Sequence, residues 1–292
     1  EFRRVLFRSM WSSLNNTDFS KRWGALSSFV KQTDAQVKHC AQMRFPVYAC
    51  GYNWLQDNMQ SAERLKRRIE EVIKANNFGP SICRQVILVT HSMGGLVARA
   101  CSELKNMSPN IAGVVHGVMP ALGSATAYKR VRAGTEGLAG LVIGPDSETV
   151  SAVFANAPGA LQLLPNHLYP MQWLRIGRRD NAIFTELSSL PKQDPYTEIY
   201  GLPDAAGRSV RGAWWSLMRE ELINPAGSQN AGWDRYIENL TMAKKFHEQL
   251  GNRYHRNTYA FFGADRGSIG LTWGHVRWEC VGLITDIRRK TI

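Results

Sequence analysis

The sequence has few cysteines, and their placement excludes two classes of protein. Five cysteines occur in 292 residues, an odd number spread from residue 40 to residue 280. Disulfide-stapled domains and zinc modules carry cysteines in dense sets or closely spaced pairs. We therefore expect a globular chain with free, mostly buried thiols and with neither a disulfide framework nor a metal site.

Long apolar runs and concentrated charge are also missing. No run approaches the roughly 18 apolar residues that a membrane-spanning helix needs, so we expect a protein that is not integral to a membrane and is cytoplasmic before any secretion. The net charge is +12, but lysine and arginine are spread along the whole length, which argues against a nucleic-acid site. The charge still favours peripheral contact with an anionic membrane or with phosphate.

The signatures of metal and nucleotide chemistry are absent as well. The sequence holds no HExxH, no CxxC pair, no P-loop and no GxGxxG that opens a helix. We expect no cofactor, so any catalysis must come from side chains and backbone alone. With 44% hydrophobic residues, the chain can nevertheless bury a full core.

The first nine residues, EFRRVLFRS, stand apart from the rest. They resemble, residue for residue, the translation of a common sequencing adapter, and we interpret residues 1–9 as an artefact. The alternative is a basic N-terminal arm or the start of a targeting signal, but the apolar stretch that a signal requires does not follow.

Strand and helix patterns alternate through residues 10–125. An amphipathic helix begins after Asp57, a residue suited to capping it. The apolar run at 86–90 is typical of a central strand covered on both faces. This alternation predicts an α/β fold, a mostly parallel sheet flanked by helices. Strands are predicted at 45–54, 86–90 and 111–120, and the second helix at 94–107.

The pattern loosens after residue 125. Residues 126–255 are predicted to form an inserted cap or lid that carries Trp173, Trp214 and Trp215. Residues 256–292 are predicted to return partly to the core sheet. The elements predicted in this half are helices at 210–223 and 234–250 and a strand at 257–265.

The segment VILVTHSMGGLVARA at 86–100 carries the functional prediction. A strand that ends in x-Ser-x-Gly and turns at once into a helix is the nucleophile elbow, which holds a serine at a strained apex. This predicts Ser92 as the nucleophile, with the backbone N–H of Met93 facing a developing oxyanion. The alternative is a serine- and glycine-rich turn without chemistry. His91 would point away from the serine and is interpreted as structural.

Three motifs together resemble a known family. YNWLQDN, VILVTHSMGG and VVHGVMPALGS look like motifs of the lecithin:cholesterol acyltransferase and GPI-inositol deacylase-like (PGAP-type) lipases, which include bacterial secreted lipase effectors. The resemblance is best over residues 45–124 and looser at LQLLP and TYAFFG. It implies an α/β-hydrolase fold with an inserted cap or lid.

The chain also departs from that family. Asn53, Thr90 and Ala121 replace its usual residues. The resemblance implies a second oxyanion donor after a His-Gly turn upstream, but residues 10–44 contain no such turn. It also implies an acid and a histidine beyond the TYAFFG strand, and the sequence ends without either family motif. We therefore expect a chain truncated at both ends.

The acid and the histidine of a catalytic triad are not assigned by the sequence. Asp265 follows a strand at the expected end of the sheet and is the candidate acid, with a plain loop aspartate as the alternative. The catalytic histidine is unknown and is expected beyond Ile292. The weaker candidates are Asp286, His275, His255, His247 and His116, of which His116 suits a buried core position.

These patterns predict a serine hydrolase that cleaves carboxylic esters through an acyl-enzyme, namely a lipase or phospholipase acting on a lipid or other ester. One alternative is an acyltransferase that uses the same serine. Others are a non-catalytic binding protein on a hydrolase scaffold and a basic nucleic-acid or membrane-surface binder. Because catalytic groups are missing from it, the chain by itself is expected to be poorly active.

Overall fold

The computed structural model describes residues 33–134, 146–180, 183–262, 276–281 and 288–291. The chain divides into two compact units, residues 1–49 and residues 50–292. Helix α1 (Asp34–Ala41) belongs to the first unit. The helices of the second unit are α2 (Asn58–Ala75), α3 (Gly94–Glu103), α4 (Ala125–Ala133), α5 (Ser147–Ala155), α6 (Pro158–Leu161) and α7 (Trp233–Leu250). Its strands are β1 (Val86–His91), β2 (Ile111–Gly117), β3 (Leu174–Asp180), β4 (Ile183–Leu190), β5 (Thr258–Phe261), β6 (Val276–Val281) and β7 (Arg288–Thr291).

The strands of the second unit form two sheets. The first is parallel, in the order β1–β2–β5, so the predicted parallel sheet flanked by helices is confirmed. The second has the order β4–β3–β6–β7, in which β3 and β6 are parallel and the other pairs antiparallel. Within residues 256–292, β5 therefore lies in the first sheet, whereas β6 and β7 lie in the second. The division into core, cap and return stays a prediction.

Helix α2 forms as its sequence pattern predicts. The side chain of Asp57 accepts a hydrogen bond from the N–H of Met59 at 3.1 Å, which satisfies one of the free donors at the helix start. Ile69 is buried, while the charged residues of the helix face outward. The helix ends at Ala75 and is capped by Asn76, whose backbone N–H donates to carbonyls of the last turn.

Two hydrophobic cores stabilise the second unit. The larger core collects buried residues from α4, α5 and α6, the start of β3, the turn Tyr196–Tyr200 and most of α7. The smaller one, which we call the elbow core, lies where α2, α3 and the end of α7 cover β1 and β2. Helix α7 joins the two cores, since Tyr236 and Leu240 pack in the first and Phe246 and Leu250 in the second.

The prediction that β1 is covered on both faces is wrong. Leu88 and Thr90 face the helices, but Ile87 and Val89 on the other side are 56% and 76% exposed. Tyr259 and Phe261 of β5 lie on this same exposed side. An apolar sequence allows both faces of a strand to be buried, but burial of the second face requires another layer of structure against the sheet. The described residues place helices against one face of this sheet only.

Two other elements differ from the predictions. Residues 45–54 form no strand, because a strand requires a hydrogen-bonded neighbour and the described residues supply none; Val47 is 92% exposed. Residues 210–223 form turns and one short 3₁₀ segment, since Gly212 has φ +79°, which interrupts a right-handed helix. Helix α7 and strand β5 confirm the remaining two predictions for this half of the chain.

Across the described ranges, no helix is both long enough and apolar enough to cross a membrane.

Candidate active site

Ser92 sits at a strained apex between β1 and α3. The strand ends at His91, Ser92 has φ +50°, and the helix begins two residues later at Gly94. Its backbone N–H donates to the carbonyl of Gly117 at the end of β2, at 2.9 Å. A positive φ is uncommon for a residue other than glycine and costs on the order of 1–3 kcal/mol. The turn therefore has the backbone shape expected of a nucleophile elbow.

The small residues after Ser92 have different roles. A Cβ placed on Gly95 would lie 2.5 Å from Cγ of Met119, a contact too short to exist without movement. A Cβ on Gly94 would meet nothing closer than 3.7 Å. Close approach of the helix to the loop after β2 therefore requires glycine at 95, whereas a Cβ at 94 would make only ordinary van der Waals contacts.

Backbone donors surround the turn. The N–H of Gly95 donates to the carbonyl of Ser92 at 3.0 Å, but the N–H of Met93 has no hydrogen-bond partner among the described residues. Met93 caps the ten-residue helix α3, whose N-terminal end carries partial positive charge. A free N–H at this end can stabilise an anion that develops beside Ser92.

A second strained residue lies on the neighbouring strand. Val118 directly follows β2 and has φ +47°, an outlier for a β-branched residue. Its N–H donates to the carbonyl of Phe261 at 2.9 Å. Strained backbone thus occurs at the ends of two adjacent parallel strands, the edge at which α/β sheets usually bind ligands.

The structure explains Thr90, which stands where the family pattern has glycine. Thr90 lies opposite His116 in the β1–β2 pairing, and its hydroxyl is 2.9 Å from Nδ1 of that histidine. His116 is 1% exposed, and its pKa is lowered by burial and then by the positive charge of Arg99. It is thus a buried, neutral core histidine.

Among the described residues, no acid or histidine forms a hydrogen bond with the hydroxyl of Ser92. Asp265, His275 and Asp286 lie outside the described residues. His247 is held by the carbonyl of Gln162 and the hydroxyl of Tyr196, and the remaining candidate, His255, by the carbonyl of Ser108. Within the described ranges the hydroxyl of Ser92 has no hydrogen-bond partner, and no group of three or more histidine, cysteine or acidic side chains is suited to hold a metal.

Sequence reasoning missed Arg99, which secures the elbow helix. This residue of α3 is 2% exposed, and its guanidinium donates to the carbonyls of Ala121, Gly251 and Arg253 at 2.9–3.2 Å. It also stacks 4.0 Å from the ring centre of Tyr254. The sequence signal for this role is the position of the arginine within the apolar run LVARA. A charged side chain that is buried among apolar residues needs hydrogen-bond partners.

A parallel sheet flanked by helices, with a strand that runs through a strained serine into a helix, defines the α/β-hydrolase fold. Residues 45–130 match the family model of the PGAP1-like alpha/beta domain. This part of the chain is therefore similar to PGAP-type α/β-hydrolase domains.

A solved structure has a similar fold. A chain in the crystal structure of the Tle4–Tli4 complex is 31% identical, with a TM-score of 0.73 over 88% of this chain and 52% of that one. This chain therefore spans about half the length of that relative. Bacillus licheniformis lipase BlEst2 in mature form is 16% identical, with a TM-score of 0.25 over 42% of this chain and 49% of that one, too low to carry an argument. A search of curated proteins found no match.

Proposed function

We propose that this protein is a serine esterase of the lipase type, with Ser92 as its nucleophile. The observation that carries the proposal is the geometry of the elbow, where a strained serine precedes the free N–H of Met93 at the start of a helix. The match of residues 45–130 to the PGAP1-like alpha/beta domain supports it. Strain at a polar residue is typical of sites where geometry serves chemistry.

The proposed reaction proceeds in two acyl-transfer steps. The oxygen of Ser92 forms a bond to the carbonyl carbon of a carboxylic ester, and the N–H of Met93 donates to the resulting oxyanion. Collapse breaks the bond to the alcohol oxygen, which leaves with the proton that a histidine base took from the serine. Water then cleaves the acyl-enzyme, releasing the carboxylic acid. Asp265 remains the proposed acid that orients the base.

A lipid ester is the proposed substrate class. Apolar side chains next to the elbow remain accessible: Val118 is 44% exposed, Phe261 57% and Phe262 75%. Such a surface beside a nucleophile suits an acyl chain better than a polar substituent. Tle4 forms a complex with Tli4, and on that likeness alone the proposal includes a protein partner.

The test is the Ser92→Ala variant of the full-length protein, assayed on a short p-nitrophenyl ester and on a long-chain phospholipid. Loss of a nucleophile that acts with a base lowers turnover on the order of 10⁶-fold. Ser228→Ala, at an exposed turn far along the chain, serves as the matched control and should keep the parent rate. If Ser92→Ala kept most of the activity, the proposal would be wrong.

A further inference from the structure

A tyrosine hydroxyl lies beside Gly94. A Cβ placed on Gly94 would lie 3.7 Å from the hydroxyl oxygen of Tyr52 and 3.9 Å from Cβ of Thr90. Tyr52 precedes α2 in the chain, so a separate segment delivers this hydroxyl to the start of the elbow helix. The hydroxyl thus lies within van der Waals reach of the first residue of that helix.

The segment that carries Tyr52 is anchored on both sides. The guanidinium Nε of Arg64 donates to the carbonyl of Gly51 at 2.6 Å. On the other side, the N–H of Leu55 donates to the side-chain oxygen of Asn53 at 3.1 Å, and the carbonyl of Leu55 accepts from the N–H of Gly159 at 3.1 Å. These bonds fix the backbone around Tyr52, so its ring is positioned before any substrate arrives.

The hydroxyl itself is unused. Among the described residues it has no hydrogen-bond partner, although the side chain is partly buried. Burial raises the pKa of Tyr52 above its usual value, so the phenol keeps its proton at neutral pH. A protonated phenol is a hydrogen-bond donor, so this hydroxyl is free to donate to a ligand.

We propose that Tyr52 is a catalytic residue of this site, whose hydroxyl donates a hydrogen bond to the oxyanion formed on the ester carbonyl, alongside the N–H of Met93. The inference rests on the proposed esterase function and deepens it, since it adds a side-chain donor from the segment before α2. Two donors on one oxygen stabilise the transition state more than the neutral carbonyl of the ground state.

The test compares Tyr52→Phe with Tyr259→Phe in the full-length protein on a p-nitrophenyl ester, with Ser92→Ala assayed in parallel. Both tyrosine variants lose one hydroxyl, but Tyr259 is 65% exposed on β5. We expect Tyr52→Phe to lower kcat and kcat/KM together by about 10²-fold with KM little changed, because the bond forms only in the transition state. Labelling by a fluorophosphonate should slow in parallel, and the melting temperature should not change.

The outcomes separate this inference from the proposed function. Loss of an oxyanion donor lowers kcat about 10²-fold. If Ser92→Ala abolishes turnover but the kcat of Tyr52→Phe stays within about twofold of the parent value, the esterase proposal stands and the role of Tyr52 is refuted. If Ser92→Ala keeps the parent rate, both fall. A loss of kcat in Tyr52→Phe that is matched by a lower melting temperature would assign Tyr52 to the fold instead, and would also overturn the inference.

Discussion

The larger core and the first sheet differ in how far their large apolar side chains are buried. In the larger core, Trp173, Tyr200 and Tyr236 are at most 1% exposed, and the two tyrosine hydroxyls donate to backbone carbonyls. In the first sheet, Val89 and Phe261 stay mostly accessible on one face. The strained residues that build the elbow belong to this half-covered sheet. Packing thus buries the aromatic residues of one region, while the other keeps one face of its sheet accessible.

Substitution of a large aromatic residue should separate the two regions most strongly. Trp173 contacts the rings of Tyr128 and Tyr169 at centroid distances of 5.4 and 6.4 Å. Trp173→Ala should lower the free energy of unfolding by about 4 kcal/mol, because it leaves a cavity. Phe261→Ala, whose ring covers Gly117 but is 57% exposed, should cost about 1 kcal/mol or less. Urea unfolding of both variants measures the difference, and equal losses would break the comparison.

The pH dependence of unfolding should come partly from the helix that joins the cores. The pKa of His247 is lowered from 6.5 to about 4, mainly by burial and in smaller part by the nearby charges of His167 and Arg99, although the hydrogen bond to the carbonyl of Gln162 raises it. The unfolded chain then binds a proton that the folded chain excludes. Stability is therefore complete above pH 6.5 and falls as the pH drops from 6.5 to about 4, by on the order of 3 kcal/mol.

Urea unfolding at several pH values tests this prediction. His247→Gln keeps a polar side chain at the same place but cannot titrate, so its unfolding free energy should depend less on pH within that window. His39→Gln, on helix α1 of the other unit, is the matched control and should keep the parent profile. A parent protein equally stable at pH 6.5 and pH 4.5 would refute the assignment to His247.

The smallest effect is expected on the exposed face of β1. Val89→Thr keeps the branched shape and replaces a methyl group with a hydroxyl, so at 76% exposure it should change the unfolding free energy by less than about 0.5 kcal/mol. Binding of a hydrophobic dye should decrease. Val150→Thr, fully buried in α5, should be clearly destabilising. If Val89→Thr cost as much as Val150→Thr, this face would be covered in solution.

The sequence predicted the parts that depend on neighbours along the chain. The cap at Asp57, the turn at Ser92 and the helix that starts at Gly94 each follow from a short motif, and each is present. Helix α3 nevertheless ends at Glu103, four residues before the predicted end. The roles of Ser92 and Met93 in catalysis remain predictions.

The parts that depend on distant segments were not predictable in the same way. Whether the second face of β1 is covered is decided by other layers of the fold. Gly95 is required by Met119, and Arg99 is satisfied by carbonyls more than 150 residues away. Tyr52 was visible in a motif, but only folding brings its hydroxyl to Gly94. These features arise from contacts that hydrophobic periodicity cannot encode.

The bonds of Arg99 also bear on the order in which the chain can fold. Two of its acceptors, Gly251 and Arg253, are separated from it by 152 and 154 residues. Contacts of such high sequence separation form slowly, because a long loop must close first. A ribosome must therefore release residue 253 before the elbow helix can bury its arginine with all its acceptors. The serine turn is translated first, and two of the carbonyls that hold its helix follow more than 150 residues later.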